Sequence, residues 1–414
     1  MFDESFLGEI SSVGDGAHSK VKRVESGVLY LTSKNIKKGF LELEKVDYIS
    51  KEDYKRLFSK STSSVRHLET DDILVGIIGT FGNIYQYSDK DCFGISSSIG
   101  IIRPNKEIIN PKYLYYYLRS RYVERYIENI KGGSVQGYTN LNALRSIPVK
   151  YPQDIHTQGE IVNILKSIDT KIELNNQMID TLEEIASTLF KRWFVDFEFP
   201  DENGNLYKSS GGKMIDSELG EIPEGWGISS IDEISKNIIT GKTPSTKKVE
   251  FYGGNIPFIT IPDMHNKIFI VESERYLTEE GKVENKILPP NSICVSCIAT
   301  PGLVVFNSIE SQTNQQINSI VPHELDKYWL FLNLKSKKQL IRDLGSGGST
   351  TLNLNKTQFS RIQLVSPQNE VKEKFNVVAK PLFDLILGKL KENVTLVDSR
   401  DTLLPKLLSG ELEV

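Results

Sequence analysis

The chain has 414 residues, 39% of them hydrophobic and 25% charged, with a net charge of −4. At ~100–200 residues per domain this predicts several domains with real cores, and it excludes a disordered, collagen-like or disulfide-scaffolded protein. No run approaches the ~20 apolar residues of a membrane span, and three cysteines with an acidic opening, Met1-Phe2-Asp3-Glu4, read as a cytoplasmic chain without a secretory signal.

Residues 1–150 carry 22 Lys+Arg against 18 Asp+Glu, a net of +4. The block opens at Leu7-Gly8-Glu9-Ile10 and reaches a loop, Gly14-Asp15-Gly16-Ala17-His18-Ser19-Lys20, followed by Lys22 and Arg23. After an apolar Leu29-Tyr30-Leu31 come Lys34, Lys37 and Lys38. Asp71–Gly82 is a β-branched run closed by a glycine turn, which reads as strand–turn–strand. Tyr113, Tyr117 and Leu118 would share one face of a helix, so core packing explains them better than nucleic-acid stacking. A Gly-rich loop, Gly132-Gly133-Ser134 with Gln136 and Tyr138, then leads to Leu141-Asn142, Ile147 and Pro152-Gln153.

Beyond Pro152 the period changes. Ile161, Leu165, Ile168, Ile172, Asn175, Ile179, Leu182, Ala186, Leu189 and Trp193 alternate steps of four and three, the seam of a coiled coil. A helix over these residues spans about 50 Å, or about fifteen base pairs of duplex. Residues 199–222 are rich in Gly, Ser and turn formers and read as a linker.

The second block repeats the first. Asn291–Gly302 aligns without a gap on Asp71–Gly82, and Gly347-Gly348-Ser349, Leu354-Asn355, Ile362 and Pro367-Gln368 follow in the same order as their first-copy counterparts. The block carries 15 Lys+Arg against 14 Asp+Glu over residues 223–367. A second seam then runs through Phe383, Ile386, Leu390, Asn393, Val397, Arg400, Leu404 and Leu407. Pro381 should kink it or delay its start, and Gly388 should weaken it. Asn175 and Asn393 hold equivalent seam positions; a buried Asn fixes register because its amide needs a partner. The two helices are suited to pair with each other, although core packing or another chain would satisfy the same pattern.

Catalytic candidates are few. His18, His67, His156, His265 and His323 show no metal-ligand spacing. Cys294 and Cys297 form a lone CxxC on a strand, where residues three apart face opposite sides. No phosphate loop and no Asn-Pro-Pro-aromatic tetrapeptide occurs, so no cofactor or metal is expected. Loops able to grip phosphates and reach base edges are better represented. They supply the candidate DNA-binding residues His18, Lys20, Lys22, Lys34, Lys37, Lys38, Gly132, Gly133, Ser134, Gln136 and Tyr138 in the first block. The second offers Lys242, Thr243, Ser245, Lys247, Gly347, Gly348, Ser349, Thr350, Asn353 and Lys356.

Two β-rich repeats, each followed by a long helix, resemble the specificity subunit of type I restriction–modification enzymes. Leu219-Gly220-Glu221-Ile222-Pro223-Glu224-Gly225-Trp226 is similar to the usual opening of a target recognition domain there. Gly241-Lys242-Thr243-Pro244-Ser245, Tyr252-Gly253-Gly254-Asn255-Ile256-Pro257, Asn314-Gln315-Gln316-Ile317, Leu189–Phe194 and Leu403–Gly410 are also typical. The first block lacks the Ile-Pro-x-Gly-Trp opening, so its first strand is expected to be short or atypical. The resemblance implies an α+β chain of two pseudo-symmetric recognition domains separated by an antiparallel coiled coil. Its expected division is 1–151 and 223–367 for the domains, 152–198 and 368–414 for the spacer helices, and 199–222 for the linker. It further implies a non-catalytic subunit that reads a bipartite duplex DNA target and assembles with two methyltransferase subunits and with restriction–translocase subunits. A free-standing nuclease and a coiled-coil protein adaptor are the alternatives.

Overall fold

A computed structural model describes residues 2–59, 65–78, 83–130, 140–346 and 353–412. The chain divides into two compact units, Met1–Ile172 with Thr395–Val414, and Glu173–Val394.

In the first unit, strands Ser11–Asp15, Ile99–Pro104, Ile73–Gly76 and Ile84–Gln86 lie in that order in one antiparallel sheet. A second sheet orders Arg23–Val24, Asp47–Ile49, Val28–Leu31 and Phe93–Ile95, the last two parallel. The strands are built from Ile and Val runs, and their side chains fill two cores, one on each face of the first sheet. The helix Pro111–Leu118 buries Tyr113, Tyr116 and Tyr117. Tyr113 Oη donates to the Lys150 carbonyl at 2.9 Å and Tyr117 Oη to the Pro148 carbonyl at 3.1 Å, which satisfies phenols that burial would otherwise penalise. These tyrosines are core, as their helical spacing predicted.

The second unit repeats this plan. Strands Ser235–Thr240, Ile317–Pro322, Ile293–Ser296 and Val304–Asn307 follow the same order, with Phe269–Ile270 added at the edge. Even a backbone irregularity recurs: Asp71 and Asn291 both adopt positive φ, 81° and 64°. Each begins its strand by donating its N–H to a neighbouring strand, at 2.9 Å to Tyr87 and 2.9 Å to Asn307. Asp and Asn tolerate this left-handed geometry better than other non-glycine residues.

Two sequence expectations are corrected. The first strand is neither short nor atypical: Phe2–Phe6 pairs antiparallel with Pro148–Pro152 over five residues, where the second copy pairs Gly227–Ser230 with Gln363–Ser366. Nor does Pro381 delay the second long helix, which runs from Asn369 to Ser409. Its first turns are held by tertiary burial of Val371, Phe375 and Ala379, which outweighs the ~3 kcal/mol cost of an interior proline.

The long helices Ile155–Phe194 and Asn369–Ser409 run antiparallel within each unit. In the first, Ile161, Val162 and Leu165 share a core with Leu404, Leu407 and Leu408, and Asp169 accepts from Arg400 Nη1 at 2.9 Å. In the second, Ala186, Phe190 and Trp193 share a core with Phe375, Ala379 and Phe383. Asn175, fully buried, donates through Nδ2 to Asn393 Oδ1 at 2.8 Å, and Asn393 Nδ2 donates to Asn176 Oδ1 at 2.8 Å. The seam asparagines therefore meet each other.

The CxxC cysteines point apart, Cys294 into one core and Cys297 into another. Burial pushes their thiols up to about 12 and about 11, while Cys92 is exposed. Because the thiolate is the reactive form, iodoacetamide at pH 8 should label one thiol in the native chain and all three after unfolding, as read by intact mass. Rapid native labelling of Cys294 or Cys297 would contradict this packing.

Candidate nucleic-acid interface

In each block, one end of the first sheet gathers described residues from the loops singled out by sequence. In the second block, strand Ser235–Thr240 ends at the Gly241–Lys248 loop, Ile293–Ser296 ends at the 297–303 turn, and Ile317–Pro322 begins after Thr313–Gln316. Cys297 ties these together: its N–H donates to the Gln316 carbonyl at 2.8 Å, and its carbonyl accepts from the Leu354 N–H at 2.9 Å. Asn353, bridged to Ile298, and the exposed Lys356 thereby join the same end. Lys242 is pinned through its backbone, donating to the Thr313 carbonyl at 2.9 Å and accepting from Gln312 Nε2 at 2.7 Å. Its side chain stays exposed, as do those of Ser245 and Lys247.

The first block is built the same way. Ala17, one residue before His18, donates to the Ile95 carbonyl at 2.9 Å. Gly16 and Gly241 make matched close approaches: a Cβ would stand 2.4 Å from the Ile95 oxygen at one and 2.3 Å from the Thr313 oxygen at the other. His18 is exposed and its Nε2 lies 2.7 Å from Asp15 Oδ2. Lys20 and Lys22 are exposed on the same loop, and the Lys22 N–H is held by Asp53 Oδ2 at 2.6 Å. The turn bearing Lys34 joins this end through Ser33, whose N–H donates to Ser98 Oγ at 3.0 Å and whose Oγ donates to the Ile78 carbonyl at 2.6 Å. Lys37 is half-buried. Lys38 is committed elsewhere, to Glu124 at 2.9 Å.

Among the described residues, Lys20, Lys22, Lys34, Lys242, Lys247 and Lys356 form no ion pair. An unpaired cation at a sheet end is free to meet a phosphate without first breaking a protein contact. Gly132, Gly133, Ser134, Gln136, Tyr138, Gly347, Gly348, Ser349 and Thr350 lie outside the described residues.

Sequence reasoning passed over one residue in this cluster. Gln315 is exposed at the apex of the Thr313–Gln316 turn and accepts from Thr243 Oγ1 at 2.5 Å. The Asn-Gln-Gln triplet was visible in the sequence, but its adjacency to the Thr243 loop, 72 residues away, was not.

The description "Type I restriction modification DNA specificity domain" matches residues 19–184 and again 223–391. The chain belongs to the type I restriction–modification specificity subunit family. It is 35% identical over 401 residues to the HindI specificity subunit of Haemophilus influenzae, covering 82% of this chain and 86% of that one. It is 26% identical over 327 residues to the MjaIX specificity subunit of Methanocaldococcus jannaschii, covering 75% and 71%. The fold is that of the crystal structure of a type I S subunit from M. genitalium, at a TM-score of 0.54, 16% identity and coverage of 98% and 96%. As a specificity subunit the chain is the DNA-recognition component of a restriction–modification complex and not its catalytic part.

Proposed function

We propose that this specificity subunit reads a bipartite duplex target, with residues 1–151 on one half and 223–367 on the other. Residues 152–198 and 368–414 are the spacer helices in this reading, joined by 199–222. The observation that carries it is the duplicated sheet end with its unpaired lysines. Lys20, Lys22, Lys34 and Lys37 grip phosphates beside the first half, and Lys38 joins them by exchanging Glu124 for a phosphate. Lys242, Lys247 and Lys356 do the same beside the second. His18, Thr243, Ser245 and Asn353 stand near base edges. Gly132, Gly133, Ser134, Gln136 and Tyr138, with Gly347, Gly348, Ser349 and Thr350, complete the two heads.

The helix pair docks two methyltransferase subunits, which restriction–translocase subunits join in the cytoplasm. Leu174, Met178 and Ile185 support this: all three are exposed apolar side chains along one helix, and such a run marks an interaction surface.

Mapping modified bases in genomic DNA from hosts with and without the gene tests the reading. A two-part motif present only with the gene is expected; no gene-dependent motif defeats it. Changing Lys242, Lys247 and Lys356 together to Ala should weaken DNA binding evenly across sequences. It should also lower the slope of log affinity against log salt by about 3, at ~0.9 per phosphate contact. An unchanged slope would favour a protein-binding adaptor.

A further inference from the structure

We propose that Leu43 reads the methyl group of a thymine in the half-target taken by the first block. This rests on the sheet ends being the DNA-facing surfaces. Two heads that read different half-targets must differ where they meet the bases. A reader therefore lies outside the segments that recur between the blocks or typify the family. One pair of loops meets that condition. Residues 32–46 join Val28–Leu31 to its antiparallel partner Asp47–Ile49, and residues 260–275 join Tyr252–Ile259 to Tyr276–Leu277 in the same way.

Both loops start on the same capped turn. Thr32 donates through its N–H and Oγ1 to Asn35 Oδ1 at 2.9 and 3.0 Å, and Thr260 donates through the same two groups to Asp263 Oδ2 at 2.8 and 2.7 Å. The capping residue, buried in each copy, also holds the returning arm. Asn35 Nδ2 donates to the Glu42 and Lys45 carbonyls, both at 3.0 Å, and Asp263 Oδ1 accepts from the Glu274 N–H at 2.8 Å. The side chains on this shared frame diverge. Leu43, Glu44 and Lys45 are exposed in the first copy, where the second exposes Glu272, Glu274 and Arg275.

Leu43 and Ile78, 44% and 43% exposed, line one cleft of about 1080 Å³ with Lys34, Lys45 and Ser98. The cleft belongs to the sheet end, because Ser33 bonds both Ser98 Oγ and the Ile78 carbonyl there. Lys34 and Lys45 form no ion pair among the described residues. Glu42, Glu44 and Asp47 share the cleft, Asp47 paired with Arg23 at 3.2 Å. Phosphates repel carboxylates, so this mixed lining suits the groove floor, with the two lysines reaching outward to the backbone. In the major groove an exposed hydrocarbon has one sequence-bearing partner, the thymine C5-methyl. Ile78 does not distinguish the heads, since Ile298 holds the matched position in the second copy. Leu43 does, because the second loop turns through Glu272-Ser273-Glu274 instead. Asn35 fixes the backbone on either side of Leu43, which lowers the ordering cost of the contact.

The test uses the full chain purified with the methyltransferase subunits of its own system, once its modified motif has been mapped genome-wide. Duplexes carry that motif with each thymine of the first half-target replaced in turn by uracil, which lacks only the methyl. One replacement should weaken binding about three- to tenfold. Leu43→Ala should weaken binding to the thymine duplex by a similar factor and bind the thymine and uracil duplexes equally, while Leu43→Met keeps the discrimination. A first half-target with no thymine on either strand, or one in which uracil is silent at every thymine, overturns the proposal. So does a uracil penalty that persists in Leu43→Ala, which would assign the methyl to another group. A wild-type complex without sequence preference would remove the underlying reading, and this proposal with it.

Discussion

Replacing Asp326 by Ala should destabilise the second unit by about 3–5 kcal/mol. Asp326 Oδ1 accepts from Lys372 Nζ at 2.6 Å, and both side chains are nearly buried, at 10% and 6% exposure. The Lys372 ammonium also lies 5.1 Å from the centre of the Trp329 ring. Removing the carboxylate strands that ammonium where water cannot replace the lost partner. Asp326→Leu combined with Lys372→Met should recover most of the loss, because a buried ion pair can be exchanged for apolar packing at little net cost. All three tryptophans, Trp193, Trp226 and Trp329, belong to this unit, so their fluorescence during urea unfolding reports on it alone. A single Asp326→Ala variant as stable as the parent would show that the pair is not desolvated.

Phe383→Ala should cost a similar ~3–5 kcal/mol. Phe383 is 2% exposed and stacks on Tyr328 at 4.8 Å between ring centres. Its edge contacts are Phe331 at 5.6 Å, Phe306 at 5.9 Å and Phe269 at 6.3 Å. It is the ring through which the second long helix grips the sheet and helix of its block, so truncation opens a cavity at the joint. Phe383→Leu, which keeps much of the volume, should lose clearly less. Equal losses for Ala and Leu would mean that ring geometry rather than filled volume holds the joint. Both variants are read by the same tryptophan signal.

The elements legible in the sequence are those whose signal is local and periodic. The alternation of steps through Asn175 and through Asn393 reports directly on which side chains face inward, and the 2.8 Å amide contact between them follows from that register. The Asp71 and Asn291 strand starts were legible for a similar reason, since the residue type and the apolar run after it travel together. Matching by residue identity failed where the backbone role differs. The sequence repeat pairs Leu141-Asn142 with Leu354-Asn355, but the helix caps are Asn140, accepting from the Ala143 N–H at 2.9 Å, and Asn355, accepting from the Gln358 N–H at 3.0 Å. The true register of the copies there is displaced by two residues.

The candidate site was legible as lysine-bearing loops but not as a surface. Nothing local ties Thr243 to Gln315, or Cys297 to Leu354. Those contacts exist because three strands of one sheet end at the same level, which is a property of pairing order. The pairing of Lys38 with Glu124 was equally hidden, since Glu124 comes from a helix 86 residues further along the chain.

Pro381 has a mechanical consequence. Lacking an N–H, it leaves the Val377 carbonyl without its intrahelical donor, and Val377 is 76% exposed. One rung is thus missing at a solvent-facing turn between the buried anchors Phe375 and Phe383, and Pro405, inside the same helix, removes a second at the Asp401 carbonyl. Helices yield where a rung is absent, so the compliance of this rod is concentrated at the turns before Pro381 and Pro405, on either side of the interlocked amides at Asn393.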